Sequence, residues 1–200
     1  MGFAVVEEDT ITTYEQIAEW WNKKYSQPNY WGKSFDEFQE LLPSGTILEI
    51  GAGAGRDAKD LIARGYGYYG TEPAAKFVEI ARAKNPGARF EQLSVYELEP
   101  AEYDGFWAAA VLLHIPRPRI QEALSTLRAA VRGGAIGFIV IKEGDGEVVE
   151  VQGDYPRLFT LWLDADFRVE LSQAGFEVIK YHREVKSERT IWLRYIVKAI

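Results

Sequence analysis

The chain contains no cysteine among its 200 residues. Disulfide bonds, thiolate metal sites and a cysteine nucleophile are therefore excluded. Histidine is almost as scarce, since His114 and His182 are the only two and lie far apart in the sequence. Because a zinc site needs several ligands close together, we expect no bound metal.

Blocks of basic residues and long apolar runs are also missing. The formal net charge is −7 and the sequence pI is about 5.0. Nucleic acids and anionic membranes are recognised by a basic face, which this composition disfavours. No stretch approaches the roughly 18 apolar residues of a membrane span, and the N-terminus lacks the pattern of a secretory signal. We therefore expect a cytoplasmic protein that binds neither nucleic acid nor membrane.

Apolar segments with strand character alternate with segments of helical spacing along most of the chain. This alternation predicts an α/β fold with a mostly parallel sheet and helices on both faces. The last two strand-like segments flank a polar turn at residues 186–189 and predict a closing antiparallel hairpin. Thr12 and Glu15 fit a capping box that would begin the first helix. The acidic, glycine-rich segment 143–156 is long for a connection and is either a surface loop or a lid, with the loop favoured.

The stretch EIGAGAGRD, residues 49–57, follows the first predicted strand of the sheet. Its glycines allow close approach to the backbone by a pyrophosphate or a nucleoside, or they form an empty turn. The dinucleotide pattern G-x-G-x-x-G, counted from Gly51, requires glycine at position 56, where Arg56 stands. A match shifted to Gly53, Gly55 and Ala58 would move the turn into the following helix, so we discount it.

Glu72 ends the second predicted strand, and its carboxylate can accept hydrogen bonds from both hydroxyls of a ribose. By itself Glu72 is equally consistent with a solvated strand end. A strand, a glycine turn, a helix and a strand-terminal acid in this order together predict a nucleoside site.

The segment LEIGAGAGRDAKDLIARGYGYYGTEP, residues 48–73, resembles the first two motifs of class I S-adenosylmethionine-dependent methyltransferases. The segments ARFEQLSVYEL (88–98) and YDGFWAAAVLLH (103–114) are similar to the following strands of a small-molecule branch, and the likeness extends over residues 10–199. The resemblance implies a Rossmann-like, seven-stranded, mostly parallel sheet with an antiparallel C-terminal hairpin strand. It also implies one methyltransferase domain over residues 1–200, with an N-terminal helical cap segment at 1–43 and a core at 44–200.

The resemblance assigns residues to the cofactor S-adenosylmethionine, whose product is S-adenosylhomocysteine. Glu49 and the glycine turn would face the methionine end, Glu72 would hold the ribose, and the third-strand segment would lie along the adenine. Relatives often carry aspartate in place of Glu72 and Ser94, and serine accepts a hydrogen bond more weakly. The implied cofactor residues are Glu49, Gly51, Ala52, Gly53, Gly55, Glu72, Pro73, Ser94, Val95, Val111 and Leu112.

The implied reaction is an in-line displacement that moves a methyl group to an unidentified small-molecule acceptor. His114 is the best candidate for a general base, because it ends the fourth strand and the usual histidine pKa is near operating pH; otherwise it caps the next helix or packs under Pro116. Tyr14 and Trp31 are candidates for lining the site. Arg157 either binds an anionic acceptor or pairs with an acid of segment 143–156.

Two other functions stay open on the sequence. A nicotinamide-dependent oxidoreductase would use the same kind of sheet, although Arg56 argues against it. A non-catalytic nucleoside-binding domain is compatible with every motif described above. The chain is expected to be a monomer or a homodimer, since the edge of the final hairpin offers a strand for pairing.

Overall fold

Strands and helices alternate through the middle of the chain, as the sequence pattern predicts. The computed structural model describes the backbone of residues 3–188 and 190–200, and the side chains of residues 7–188 and 190–200. Its helices are α1 (Phe3–Lys24), α2 (Lys33–Leu41), α3 (Arg56–Ala63), α4 (Ala75–Lys84), α5 (Ile120–Ala129) and α6 (Asp164–Gln173). Its strands are β1 (Thr46–Ile50), β2 (Gly67–Thr71), β3 (Arg89–Glu91), β4 (Tyr103–Ala109), β5 (Val131–Lys142), β6 (Gly146–Gln152), β7 (Tyr155–Leu161), β8 (Phe176–Ser187) and β9 (Thr190–Ala199). No helix in this described part of the chain is long and apolar enough to cross a membrane.

The main sheet of the described chain has seven strands in the order β3-β2-β1-β4-β5-β9-β8. Strands β1 to β5 pair in parallel, whereas β9 is antiparallel to both β5 and β8. The predicted mostly parallel sheet with a closing antiparallel hairpin is therefore confirmed. The dinucleotide-binding fold instead continues with parallel strands beyond its fifth strand.

The central strands are apolar on both faces because helices cover both sides. On one face α5 and α6 bury side chains such as Leu124 and Phe167 against the sheet. On the other, Phe35 of α2 stacks on Trp107 of β4 with ring centroids 4.5 Å apart, and both side chains are fully buried. Each such aromatic contributes roughly 1.5–3 kcal/mol through burial, so α2 is held firmly on the sheet.

The predicted capping box at Thr12 and Glu15 is wrong. Helix α1 begins at Phe3 and runs through both residues. The Glu15 carboxylate instead accepts hydrogen bonds from the backbone N–H groups of Ala75 and Lys76, the latter at 2.9 Å. Ala74, at the start of α4, supplies no side-chain cap, and unpaired N–H groups at a helix start need an acceptor. Glu15 thus caps a different helix and fastens α1 to α4.

Segment 143–156 is mostly strand, so the expected surface loop is wrong. Strands β6 and β7 pair antiparallel and bring Gln152 opposite Tyr155 across a two-residue turn. Gly153 in that turn has a φ of +65°, which is the conformation that tight hairpin turns demand of glycine. The hairpin is tied to α1, because the Thr13 hydroxyl donates to the Pro156 carbonyl at 2.7 Å and the Leu158 N–H donates to the Thr10 hydroxyl at 2.8 Å.

Candidate functional site

A cavity of about 390 Å³ opens at the carboxyl ends of the parallel strands, beneath α1 and the segment that leads to α2. Strand β1 lies between β2 and β4, so the chain crosses to the other side of β1 at this point. Ligands of parallel sheets bind where the strand order reverses in this way. The cavity therefore lies where the sequence places the glycine turn.

The glycine turn meets the cavity at two residues that need glycine for different reasons. Gly51 has a φ of +63°, and a Cβ built on it would lie 2.4 Å from a methyl carbon of Val111. Gly53 has a φ of +52°, but a Cβ there would meet nothing within 4 Å. Gly51 thus allows the turn to pack against the end of β4, while Gly53 leaves open space on the cavity side.

Glu72 is fixed by the glycine turn and by the start of α4. One carboxylate oxygen accepts from the Gly53 N–H at 2.9 Å and the other from the Ala74 N–H at 3.0 Å. The side chain lies on the cavity wall, and the residue is only 7% exposed. Burial raises the pKa of Glu72 to about 7, while the two backbone N–H groups act in the opposite direction. The carboxylate is held rigidly at the end of β2, with a face toward the cavity.

Glu49 lies beneath the same turn, inside a cluster of buried polar groups. Its carboxylate accepts a hydrogen bond from the Tyr68 hydroxyl. Burial raises the pKa of Glu49 well above its usual value, and the nearby Asp57 raises it further. Both effects favour the protonated form of Glu49, while the charge of Arg56 acts in the opposite direction.

Asp57 also belongs to this cluster, although no sequence motif identifies it as a site residue. Its carboxylate accepts from the indole N–H groups of Trp31 at 2.8 Å and Trp107 at 3.1 Å. It also pairs with Arg56, whose guanidinium stacks 4.1 Å from the ring centroid of Tyr30. No local motif predicts these contacts, because the partners come from three separate segments.

The structure brings most of the predicted cofactor residues onto the cavity wall but leaves two of them off it. Leu112 is completely buried in the core behind the wall. Gly55 lies against α4, where a Cβ would approach the Asn85 side chain to 2.5 Å, and its carbonyl accepts from that side chain at 3.0 Å. Ser94 begins a short 3₁₀ helix, Val95–Glu97, and its N–H donates to Glu97 at 2.7 Å. The predicted cofactor residues on the wall are Glu49, Gly51, Ala52, Gly53, Glu72, Pro73, Ser94, Val95 and Val111.

Tyr14 and His114 meet on the wall near the hairpin. The Nδ1 atom of His114 lies 2.6 Å from the Leu158 carbonyl, and a carbonyl can only accept, so Nδ1 carries the proton. In neutral histidine Nε2 is then an acceptor, and the Tyr14 hydroxyl donates to it at 2.9 Å. Burial lowers the pKa of His114 to about 3. The structure therefore favours a neutral His114 over the expected histidine that titrates near operating pH.

Arg157 and Lys142 line the wall beside that pair. The Arg157 guanidinium lies 5.3 Å from the Trp21 ring centroid and 5.2 Å from that of Phe159. Its charge acts on the Tyr14 hydroxyl and partly offsets the burial that raises the pKa of Tyr14 to about 12. The sequence identified Arg157, whereas Lys142 was missed because the end of β5 reads as an ordinary strand terminus.

Trp31 also reaches the wall, but it is only 4% exposed and its N–H is occupied by Asp57. Its ring can therefore contact a ligand, while its polar atom cannot. Within the described residues, no group of histidine, aspartate or glutamate side chains is arranged to hold a metal ion.

Known proteins share sequence features and the fold with this chain. Residues 47–134 match the family model of the methyltransferase domain. The fold is similar to that of Burkholderia thailandensis 1,6-didemethyltoxoflavin-N1-methyltransferase, solved with 1,6-didemethyltoxoflavin and S-adenosylhomocysteine bound. The TM-score is 0.77 at 19% identity, with 98% of this chain and 88% of that chain covered. The chain therefore matches a methyltransferase domain over residues 47–134 and shares the fold of a methyltransferase solved with S-adenosylhomocysteine bound.

Other solved structures are similar to this chain in fold, with comparable TM-scores and sequence identities. DhpI, solved in complex with SAH, has a TM-score of 0.72 at 15% identity, and 95% of this chain and 96% of that chain are covered. The [4+2]-cyclase SpnF has a TM-score of 0.63 at 17% identity, with coverage of 84% and 80%. Because a cyclase shares the fold, the sheet by itself does not determine the reaction. No curated protein matches this chain in sequence.

Proposed function

We propose that this protein binds S-adenosylmethionine in the cavity at the ends of β1, β2 and β4 and transfers its methyl group to a small-molecule acceptor. The observation that carries this proposal is the Glu72 carboxylate, which is held by the Gly53 and Ala74 N–H groups and faces the cavity. Each carboxylate oxygen keeps a free lone pair. Both hydroxyls of a ribose can therefore donate to Glu72.

The acidic side chains of the cavity support a cationic cofactor. Glu49, Asp57 and Glu72 line the wall beside the glycine turn, with Arg56 paired to Asp57, and S-adenosylmethionine brings a sulfonium and an ammonium group. We assign the methionine end to Glu49 and the backbone of 51–53, the ribose to Glu72 with Pro73, and the adenine to Ser94 and Val95. Val111, which follows β4, would contact the cofactor. Gly55 and Leu112 would support the wall from behind.

The acceptor would bind among Tyr14, Trp31, His114 and Arg157. In the reaction a lone pair of the acceptor forms a bond to the methyl carbon. The carbon–sulfur bond breaks at the same time, and the electron pair of that bond passes to the sulfur. Any proton on the acceptor atom is lost to solvent. Holding the two molecules in line can supply about 7–11 kcal/mol of the acceleration. The net charge of −7 favours a small acceptor over nucleic acid.

His114 serves in this proposal as a positioning residue rather than as a base. Its Nε2 lone pair already receives the Tyr14 hydroxyl, and its other nitrogen donates to Leu158. His114 thereby orients Tyr14, whose ring and oxygen face the cavity.

We further propose that residues 1–43 cap a core formed by residues 44–200 within one domain. Support comes from Trp31, which hydrogen-bonds Asp57 of the core, and from Glu15, which caps α4. Aromatic side chains of the cap (Tyr14, Trp21, Tyr25, Tyr30 and Trp31) line the cavity.

Calorimetry with S-adenosylmethionine, S-adenosylhomocysteine and NAD tests the cofactor. We expect the first two to bind and NAD not to bind; binding of NAD alone would refute the proposal in favour of an oxidoreductase. Glu72→Ala should weaken S-adenosylhomocysteine binding at least tenfold, because the ribose hydroxyls lose an ionised acceptor. Glu91→Gln, at the end of the neighbouring β3 but off the cavity wall, is the matched control and should leave the affinity unchanged.

Turnover separates an enzyme from a nucleoside-binding domain. S-adenosylhomocysteine release should be followed while small molecules are offered as acceptors. Release that requires both an acceptor and Glu72 would support the proposed reaction. Cofactor binding without turnover on any acceptor would favour a non-catalytic domain.

A further inference from the structure

The cavity wall beside Tyr14 and His114 carries two cations that the proposed chemistry of the cofactor does not use. Lys142 ends β5, and Arg157 is in β7. The Lys142 ammonium lies 3.6 Å from the ring centroid of Phe159, the same ring that Arg157 approaches. Two positive charges therefore share one aromatic surface beside Tyr14 and His114.

In the described part of the chain, only one carboxylate, that of Glu150, forms an ion pair with either of these two cations. Glu150 is opposite Arg157 in the β6–β7 hairpin, yet its carboxylate lies 3.7 Å from the Lys142 ammonium. Among the described residues, Arg157 has no ion pair with a carboxylate. The expected alternative, a pair between Arg157 and an acid of segment 143–156, is not formed.

Arg157 is half-buried on the cavity wall. Its guanidinium presents several N–H donors in a plane, which suits a carboxylate in a two-point arrangement. The rings of Trp21 and Phe159 lie close to it and provide flat apolar contact for the rest of a ligand. Arg157, Lys142 and Glu150 together carry two positive charges and one negative charge, so their net charge is positive.

We propose that the acceptor is a small planar organic anion, whose charged group binds Arg157 with Lys142 and whose ring lies against Phe159. This inference rests on the proposed function, since it names the substrate class of the same site. A cationic donor and an anionic acceptor bound in the same cavity would attract each other.

Matched acids and amides test the charge requirement, because they have nearly the same shape. Benzoate and benzamide, salicylate and salicylamide, and nicotinate and nicotinamide would be titrated into the protein saturated with S-adenosylhomocysteine. Binding is read from the fluorescence of the cavity tryptophans, and turnover on salicylate from S-adenosylhomocysteine release. We expect at least one acid to bind about tenfold or more tightly than its amide.

Substitutions then locate the effect. Arg157→Gln and Lys142→Gln should each reduce the preference for the acid, and Arg157→Lys should restore part of it. Arg132→Gln is the control, since Arg132 is on the surface with Asp104 and removes the same charge from the protein. Equal binding of every acid and its amide, absence of binding by all probes, or an equal loss in Arg132→Gln would overturn the inference.

The two proposals fail in different ways in this experiment. If the wild-type protein does not bind S-adenosylhomocysteine, the proposed function is wrong. If it binds S-adenosylhomocysteine and shows no preference for acids, only the acceptor class is wrong. Unchanged S-adenosylhomocysteine affinity in Arg157→Gln and Lys142→Gln demonstrates that both variants are folded.

Discussion

The indole N–H of Trp31 donates a 2.8 Å hydrogen bond to Asp57, a residue 26 positions further along the chain. Trp31 belongs to the N-terminal segment and Asp57 to the first turn of α3, directly after the glycine turn. The same carboxylate receives Trp107 from β4. One buried acid therefore joins the N-terminal segment, the glycine turn and the sheet.

Replacing Asp57 with alanine should destabilise the protein by about 2–5 kcal/mol, because two buried indole N–H groups and Arg56 would lose their acceptor. The matched control is Asp36→Ala in α2, since Asp36 is exposed and pairs with Arg64 at the surface; its loss should be about 0–1 kcal/mol. Urea unfolding measures both variants. Similar midpoints for the two variants would contradict the anchoring role of Asp57.

Alanine at Gly51 and at Gly53 should give different defects. Both substitutions force a side chain into a positive φ, at about 1–3 kcal/mol each. Gly51→Ala also overlaps Val111 and should lose a further 1–3 kcal/mol or so of stability. Gly53→Ala should keep more stability but bind S-adenosylhomocysteine more weakly, because its methyl group enters the open side of the turn. Denaturant titration and calorimetry test the pair, and reversed or identical behaviour would reject this division of roles.

S-adenosylhomocysteine affinity should fall as the pH is lowered through 7. Burial raises the pKa of Glu72 to about 7 in the free protein, and ribose hydroxyls favour the ionised carboxylate. Binding therefore lowers this pKa and releases a proton below pH 7, so the affinity should drop by up to about tenfold per pH unit. Calorimetry between pH 5.5 and 8 in buffers of different ionisation enthalpy measures the affinity and the proton release. Glu72→Gln should bind more weakly with a flat profile; a slope that persists in this variant would assign the titration to another group.

The sign of the Glu72 effect on stability is the opposite of its effect on binding. The folded-state pKa of about 7 is above the ordinary value of 4.5, so folding holds a proton that the unfolded chain releases. This contribution to stability is complete below pH 4.5 and is lost as the pH rises through 7. Glu72→Gln removes it, and the difference in unfolding free energy between the two proteins across this window should reveal it.

The His114 imidazole should not titrate between pH 5 and 8. Burial lowers its pKa to about 3, and both ring nitrogens have partners. Nitrogen and ring-proton NMR should show the Nδ1-protonated neutral form throughout this range. Because His182 is the only other histidine, a His182→Asn variant assigns the signals. A midpoint between pH 6 and 7 for His114 would restore it as a candidate base.

The class of the sheet and the position of the glycine turn can be read from the sequence. Both depend on residues close together in the chain: β1, the turn, α3 and β2 follow one another, and Glu72 is 19 positions from Gly53. The periodicity of apolar residues also predicted the C-terminal hairpin. Local patterns suffice here because each element and its neighbour are specified by adjacent residues.

The arrangement of Tyr14, His114 and the β6–β7 hairpin depends on packing between distant segments. Tyr14 forms a hydrogen bond with His114, 100 positions away in the chain, and Thr13 forms one with Pro156, 143 positions away. No local sequence pattern predicts either contact. The β6–β7 hairpin packs on α1, which turns an apparent loop into part of the cavity wall. The low pKa of His114 follows from its burial, a property that sequence position does not specify. Packing between distant segments therefore replaced the expected base with a fixed tyrosine–histidine pair.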